Sequence, residues 1–389
     1  MPTLAPLRLT RGIALIDGAL HDHPLTLAAG IITEGLAARE VDLSGYLILP
    51  GIIDLHGDGF ERHLSPRPTA PFDKRRALAS AAAELAVNGI TTAWLAQSWS
   101  WEGGCRSGAA THALTEALTE MRARLLPDVR LQIRLETHVV DQHDSVVQLV
   151  RDHGIDYVVF NNHLPEAIEM AERHPDRFAQ WASQTSRTAD EMMAIVRAAE
   201  AQQETVPAAL AKIAAEFAAI GVRMGSHDDA TPEARAFYRG IGAGIAEFPT
   251  TVAAAKSARG AGEPVLMGAP NVVRGGSQSG NIAAADLVAA GICDALVSDY
   301  YYPAMPQAAL QLAELGLCNL AQAWAMISAA PARIAGLHDR GHLGIGARAD
   351  IAVMSRDTHQ IEMTLTQGRI AHLTGELARR MTDALPLVA

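Results

Sequence analysis

Between Tyr46 and Tyr301 the sequence repeats one pattern eight times: a short apolar, β-prone run, then a longer stretch of helix-forming residues rich in alanine. The runs are Tyr46–His56, Gly89–Gln97, Arg130–His138, Asp156–His163, Gly221–Asp229, Ala243–Pro249, Pro264–Asn271 and Ala295–Tyr301. Strands that alternate with helices pair in parallel, because each helix carries the chain back to the end where the last strand began. Eight such units are the number that closes a parallel sheet on itself. The pattern predicts an α/β fold, a (β/α)8 TIM barrel. Stretches such as Ala79–Ala83 and Ala208–Ala219 suit the helices, since alanine loses no side-chain entropy in a helical turn. The interval from Leu164 to Ile220 is too long for one helix and predicts two or three.

The two ends of the chain break the pattern. Residues 1–45 and the tail from His342 alternate short strand-like segments with turn signals, and neither end has enough strands to stand alone. They predict a small β-sandwich made from residues 1–48 and 342–389, beside a barrel over 49–341. Hydrophobic residues make up 49% of the 389 and charged residues 19%, the balance of a chain that buries a large core. A net charge of −11 with only three lysines argues against a nucleic-acid surface, although an acidic whole can hold a basic pocket for a small phosphorylated substrate. No apolar run reaches the roughly 20 residues that cross a bilayer, and the N-terminus lacks a basic segment followed by an apolar one. Cys105, Cys293 and Cys318 are too scattered for a disulfide framework and read as small buried thiols in a reducing cytoplasm, the expected compartment. Self-association into a homo-oligomer stays open.

Four of the eight runs end in clusters of metal-ligand side chains, and the eighth ends in a lone carboxylate. The first gives His56 and Asp58, two apart and so on one side of a strand. The third ends in Glu136, with His138 two further on. The fourth ends in His163, the fifth in His227-Asp228-Asp229 and the eighth in Asp299. A lone histidine after a strand is most often structural, and an aspartate there is commonly a helix cap. The weight lies in the coincidence, because barrel sites are built from the C-terminal ends of several strands. His56, Asp58, Glu136, His163, His227 and Asp299 are therefore the candidate ligands for one or two divalent ions. Such donors without cysteine suit zinc first, with manganese or iron as alternatives.

After the seventh run comes Asn271-Val-Val-Arg274-Gly275-Gly276-Ser277-Gln278-Ser279-Gly280-Asn281. Loops after strands seven and eight of a barrel are common phosphate sites. Here the glycines let backbone N–H groups approach an anion, Ser277, Ser279, Asn271 and Asn281 offer donors, and Arg274 offers a planar fork. Arg67, just past the first ligands, is a further anion candidate.

The whole pattern resembles the amidohydrolase superfamily: a His-x-Asp after LPGIID, two later histidines, a strand-eight aspartate and Gly346–Val353 in the tail. Longer stretches resemble one family within it, the α-D-ribose 1-methylphosphonate 5-triphosphate diphosphatases. They are Ser65–Pro68, Ser226–Thr231, Ala246–Thr251, Val265–Asn281 and Ser298–Ala304. The resemblance implies metal-assisted hydrolysis of a phosphoanhydride in a sugar triphosphate, with Asp299 moving the proton. The superfamily's commoner chemistry, cleavage of a C–N bond in a cyclic amide, N-acyl sugar or nucleobase, is the alternative, and a barrel retained only as a scaffold is a third reading. Many relatives join two metals through a carboxylated lysine at a strand end. Lys74, Lys212 and Lys256 all fall in helical stretches, so a carboxylate has to bridge, and Glu136 is the expected one. Glu247, one run away, is expected to pack or to support a ligand.

Overall fold

In the computed structural model, which describes residues 5–383 apart from 36–37, 68–69, 186 and 278–279, each of the eight runs contributes one strand to a single parallel sheet. In chain order they are β1 (Ile52–Gly57), β2 (Ile90–Trp99), β3 (Asp128–Glu136), β4 (Tyr157–Asn161), β5 (Arg223–His227), β6 (Ile245–Glu247), β7 (Val265–Gly268) and β8 (Ala295–Val297). Neighbours in sequence are neighbours in the sheet. Side chains alternate as strand geometry demands. Ile53, Leu55, Tyr157, Val159, Leu266 and Val297 fill the barrel with Trp94, while Ile52, Ile90, Leu95, Ile133, Leu135, Val158 and Phe160 meet the helices.

The barrel closes between β8 and β1, and it closes differently at its two ends. At the C-terminal end Asp299 N–H donates to the His56 carbonyl at 2.9 Å and Asp58 N–H donates to the Asp299 carbonyl at 2.8 Å. At the other end the strands part and Met326-Ile327 fills the gap, accepting from Leu296 and Ile53 at 2.9 Å each. The buried carboxylate of Asp54 staples the seam. Its Oδ1 accepts the Ser298 backbone N–H at 2.9 Å and its Oδ2 the Ser298 hydroxyl at 2.5 Å.

The first run serves two sheets. Tyr46–Pro50 belongs to the small domain, and Gly51 carries the chain into β1 where a Cβ would lie 2.4 Å from Thr91 Oγ1. Tyr46–Pro50 sits in a six-stranded sheet with Ile13–Ile16 and Ala19–Asp22 on one side and Ile351–Ser355, Ile361–Thr366 and Arg369–Leu373 on the other. A four-stranded sheet of Leu7–Thr10, Leu25–Ala28, Ile31–Thr33 and Arg39–Asp42 packs on it through Leu9, Leu27, Ile48 and Val353. Both termini thus supply separate sheets beside the barrel. Leu47 and Leu49 point the other way, into the barrel's helical layer, which is why this strand is apolar on both faces.

Two expectations need correction. The interval Leu164–Ile220 holds four helices, Leu164–Arg173, Pro175–Gln184, Ala189–Glu200 and Val206–Ala219. Prolines in the first turns and a capping box at Thr188 restart the chain each time, and the first three helices share a satellite core around Phe178, Met192 and Val196. Of the three unpaired cysteines, Cys105 is exposed and the other two are half-buried. Among the described residues no helix is long and apolar enough to cross a membrane.

Asp54→Ala leaves two donors of Ser298 unpaired in a dry seam, so it should cost about 3 kcal/mol. Chemical denaturation of the variant checks this, and a loss below about 1 kcal/mol would mean the staple does not hold the barrel shut.

Candidate active site

A bulge in β1 aims the first candidate ligand. Asp54 and Gly57 pair with Ala93 and Leu95, so β1 spends one residue more than β2 over that span. His56 is turned into the barrel, where its Nδ1 lies 2.7 Å from Glu247 Oε2 at the end of β6. The other Glu247 oxygen accepts the Tyr157 hydroxyl at 2.5 Å and Gln132 Nε2 at 2.8 Å. With both oxygens engaged and the group fully buried, Glu247 holds His56 in place. Burial works against its charge, but His56, His227 and Tyr157 outweigh that and keep it below the usual carboxylate range. His56 Nε2 is buried with no hydrogen-bond partner among the described residues, so a proton held on Nδ1 leaves a bare lone pair on Nε2.

His227 ends β5 with its ring centroid 5.2 Å from that of His56, and the Phe248 ring packs on both, at 5.1 and 4.9 Å. Burial pulls its pKa down, disfavouring the charged imidazolium. Its Nδ1 is 2.9 Å from Asp228 Oδ2 yet not aligned for a hydrogen bond. Neither following aspartate caps a helix. Thr231 does, accepting Ala234 N–H at 3.1 Å, and Asp229 is tied at 3.0 Å to the fully buried Arg235. Asp228 is left at the mouth.

Asp228, Phe248 and Asp299, which follow β5, β6 and β8, all have left-handed backbone, with φ of 60°, 51° and 54°. That conformation costs a non-glycine residue on the order of 1 kcal/mol or more, and such strain concentrates at functional sites. In Asp299 it turns the carboxylate over the barrel mouth. Burial, reinforced by the nearby charge of Asp58, pushes the Asp299 carboxyl up to about 7.

β3 alternates LQIRLE, and Gln132, Arg134 and Glu136 are its inward rungs. Arg134 Nη1 is 3.2 Å from Asp58 Oδ2. Glu136 accepts Asn161 Nδ2 at 2.8 Å and the His163 backbone N–H at 3.1 Å, and its Oε1 lies 2.8 Å from His163 Nδ1. Burial opposes a charge on His163, but Glu136 raises its pKa. Among the described residues, ligand-capable atoms fall into two groups, each within 4.8 Å: His56, His227 and Glu247, and Glu102, Glu136 and His163. Two buried imidazole nitrogens, His56 Nε2 and His227 Nδ1, that make no hydrogen bond among the described residues fit a divalent cation.

One cavity at the mouth is lined by Asp58, Arg134, His227, Asp228 and Asp299 on one side and by Asn271, Arg274, Ser277 and Asn281 on the other. The loop after β7 therefore faces the candidate ligands. Asn271 has a different use from the one expected: its amide clamps the loop, donating to the Ile282 carbonyl at 3.1 Å and accepting Ala284 N–H at 2.8 Å. Ser279 lies outside the described residues. Arg67 is exposed, in a turn where its carbonyl accepts Ser65 Oγ, and does not line the cavity. His138 is satisfied on both nitrogens by Thr137 and Gln203. Glu102 and Arg134 were missed by the sequence reading. For Arg134 the signal was there, since a polar residue every second position in LQIRLE marks an inward polar face; for Glu102 no spacing points to it.

The amidohydrolase family profile matches residues 47–374, from the last sandwich strand before the barrel to the end of the return sheet. The chain belongs to the amidohydrolase family. This amidohydrolase is 31% identical over 361 residues, 90% of its own length and 94% of the relative's, to the α-D-ribose 1-methylphosphonate 5-triphosphate diphosphatase of Escherichia coli (strain K12). Its fold matches that of N-acetylglucosamine-6-phosphate deacetylase from Pasteurella multocida, with a TM-score of 0.61 at 10% identity over 94% of this chain and 99% of that one. Dihydropyrimidinase from Brevibacillus agri superposes with a TM-score of 0.60 at 13% identity over 96% and 97%. Like these, it is a hydrolase. Its three lysines all lie in helices, none at a strand end.

Glu247→Gln should weaken divalent-metal binding by about 10–100-fold, because an amide can present N–H to His56 Nδ1 and so move the ring proton onto Nε2. Competition dialysis of the variant reads this directly, and wild-type affinity would remove Glu247 from the supporting role. A second outcome concerns pH. With a carboxyl near 7 when folded and 3.8 when unfolded, the metal-free chain keeps on Asp299 a proton that the unfolded chain has released. Stability should therefore fall as pH rises through that window, by on the order of 1–3 kcal/mol. Asp299→Asn, which also tolerates the left-handed backbone, should flatten the difference between melting at pH 5 and pH 8; parallel wild-type and variant curves would contradict it.

Proposed function

We propose that the protein hydrolyses a phosphoanhydride of a ribose 5-triphosphate, releasing diphosphate and leaving the sugar 5-phosphate, with α-D-ribose 1-methylphosphonate 5-triphosphate as the substrate. The observation that carries this reading is the shared cavity, in which Arg274, Ser277 and Asn281 face His227 and Asp299 across the barrel mouth. A neutral cyclic amide would leave that loop without work. The similarity to the Escherichia coli diphosphatase over nearly the whole chain supports it.

His56 and His227 with Asp58 and Asp299, and Glu136 with His163, are the residues that would hold one or two divalent ions, zinc by preference. Bound there, the metal supplies Lewis acidity that makes water a nucleophile near neutral pH. Asp299, poised near neutrality before metal binds, takes the proton from the attacking water and returns it to the leaving phosphate oxygen. Arg274 and the backbone of the glycine turn, where Gly275 and Gly276 have φ of 76° and 150°, hold the phosphate chain against developing charge.

Arg274→Ala should lower kcat/KM for a sugar triphosphate by about 2–4 kcal/mol, since a charge-assisted fork is lost, with metal content unchanged. Screens for diphosphate release from sugar triphosphates and for cleavage of C–N substrates, followed by the new amine, acid or ammonia, on the same preparation separate this reading from C–N hydrolysis. Ring opening of a cyclic amide, deacylation of an N-acyl sugar or ammonia from a nucleobase, with no diphosphate from any triphosphate, would replace it.

A further inference from the structure

Arg134 projects from β3 into the floor of the mouth cavity, 6% exposed, one rung below Glu136. Its charge is felt at His56, His163, His227 and Asp299 alike, so it stands among the candidate metal ligands. Among the described residues its side chain makes one hydrogen bond, Nη1 to Asp58 Oδ2 at 3.2 Å. Its Nε is buried with no partner among the described residues. A guanidinium has five N–H donors in a rigid fork, and leaving one unpaired in a desolvated site is costly. A counter-charge for Asp58 alone would not need that fork turned towards a cavity.

We propose that Arg134 is a substrate-binding residue whose guanidinium takes a phosphate oxygen at the scissile anhydride, with Asp58 as the positioning residue that fixes its plane. This rests on the phosphoanhydride reading. It also gives the cavity two fixed cations, Arg134 on the floor and the exposed Arg274 on the rim, along which an extended polyanion can lie. The Asp58 carboxylate, the second member of the first strand's pair, then serves the guanidinium through Oδ2 and has only Oδ1 left for a metal.

The test uses inorganic diphosphate, a product of the proposed reaction, titrated calorimetrically into metal-loaded wild type, Arg134→Lys and Arg134→Gln, with metal content measured on each. Wild type should bind, and both variants should bind at least about tenfold more weakly at unchanged metal content. Affinities within twofold of wild type, or a loss of metal that accounts for the weakening, would overturn the role of Arg134 alone. Failure of wild type itself to bind diphosphate would instead remove the phosphoanhydride reading. Should the variants not fold, a crystal of wild type with diphosphate decides. A guanidinium nitrogen within about 3.2 Å of a phosphate oxygen supports the proposal, and a guanidinium touching Asp58 only overturns it.

Discussion

The seam between β8 and β1 is the constraint on which the site depends. Closure at the C-terminal end is made by the backbone of His56, Asp58 and Asp299, the same residues whose side chains reach the mouth. A barrel that failed to close there would separate the strand-one candidate ligands from the strand-eight aspartate. Asp54 explains why the seam survives without a full ladder. One buried carboxylate takes both donors of Ser298 and ties two short strands where few backbone hydrogen bonds are possible. Gly57 belongs to the same device, because a Cβ there would meet Asp54, Ser298 and Tyr302 at 2.6–2.8 Å.

Above the seam the interior changes from apolar to charged within a few residues. Ile53 and Leu55 pack against Tyr157 and Val159, and one level higher Glu247 gathers His56, Gln132 and the Tyr157 hydroxyl. Three of the charges here are matched: Glu247 by His56, Asp58 by Arg134, Asp229 by Arg235. Pairing of this kind seldom stabilises more than apolar packing would, so its use here is positional. It fixes ring tautomers and carboxylate planes before any ligand arrives. The backbone strain at Asp228, Phe248 and Asp299 has the same meaning, since within the barrel it falls just past the ends of strands that carry site residues or hold them in place.

Much of this was legible from the chain alone. The eight runs, the sheets built from both ends and the strand-end histidines follow from period-two patterning and from residue chemistry, which act locally. What was not legible depends on the third dimension. The bulge at Asp54–Gly57 is a register shift, and alternation alone would have aimed His56 and Asp58 identically. Asn271 reads as an anion donor, but its amide is consumed by Ile282 and Ala284 across its own loop. Arg67 reads as a neighbour of the ligands because it follows them in sequence, yet its turn carries it away from the cavity. Arg134 was hidden differently: among apolar neighbours, its place in the alternation was visible and its partner, 76 residues away, was not.

The overall charge of −11 sharpens the argument for an anionic substrate. Asp58, Asp228 and Asp299 crowd one cavity, and like charges so close would repel a polyanion unless cations were fixed there. The chain supplies them from two sources with different reach. Arg274 stands exposed on a glycine-hinged turn, where solvent screens it and a phosphate chain can first be met. Arg134 is held on a rigid strand beneath, out of water, where the same unit charge acts over a lower dielectric. A metal ion between them would add its positive charge to theirs. A site evolved for a neutral amide would have no reason to bury a second guanidinium in the floor of the barrel.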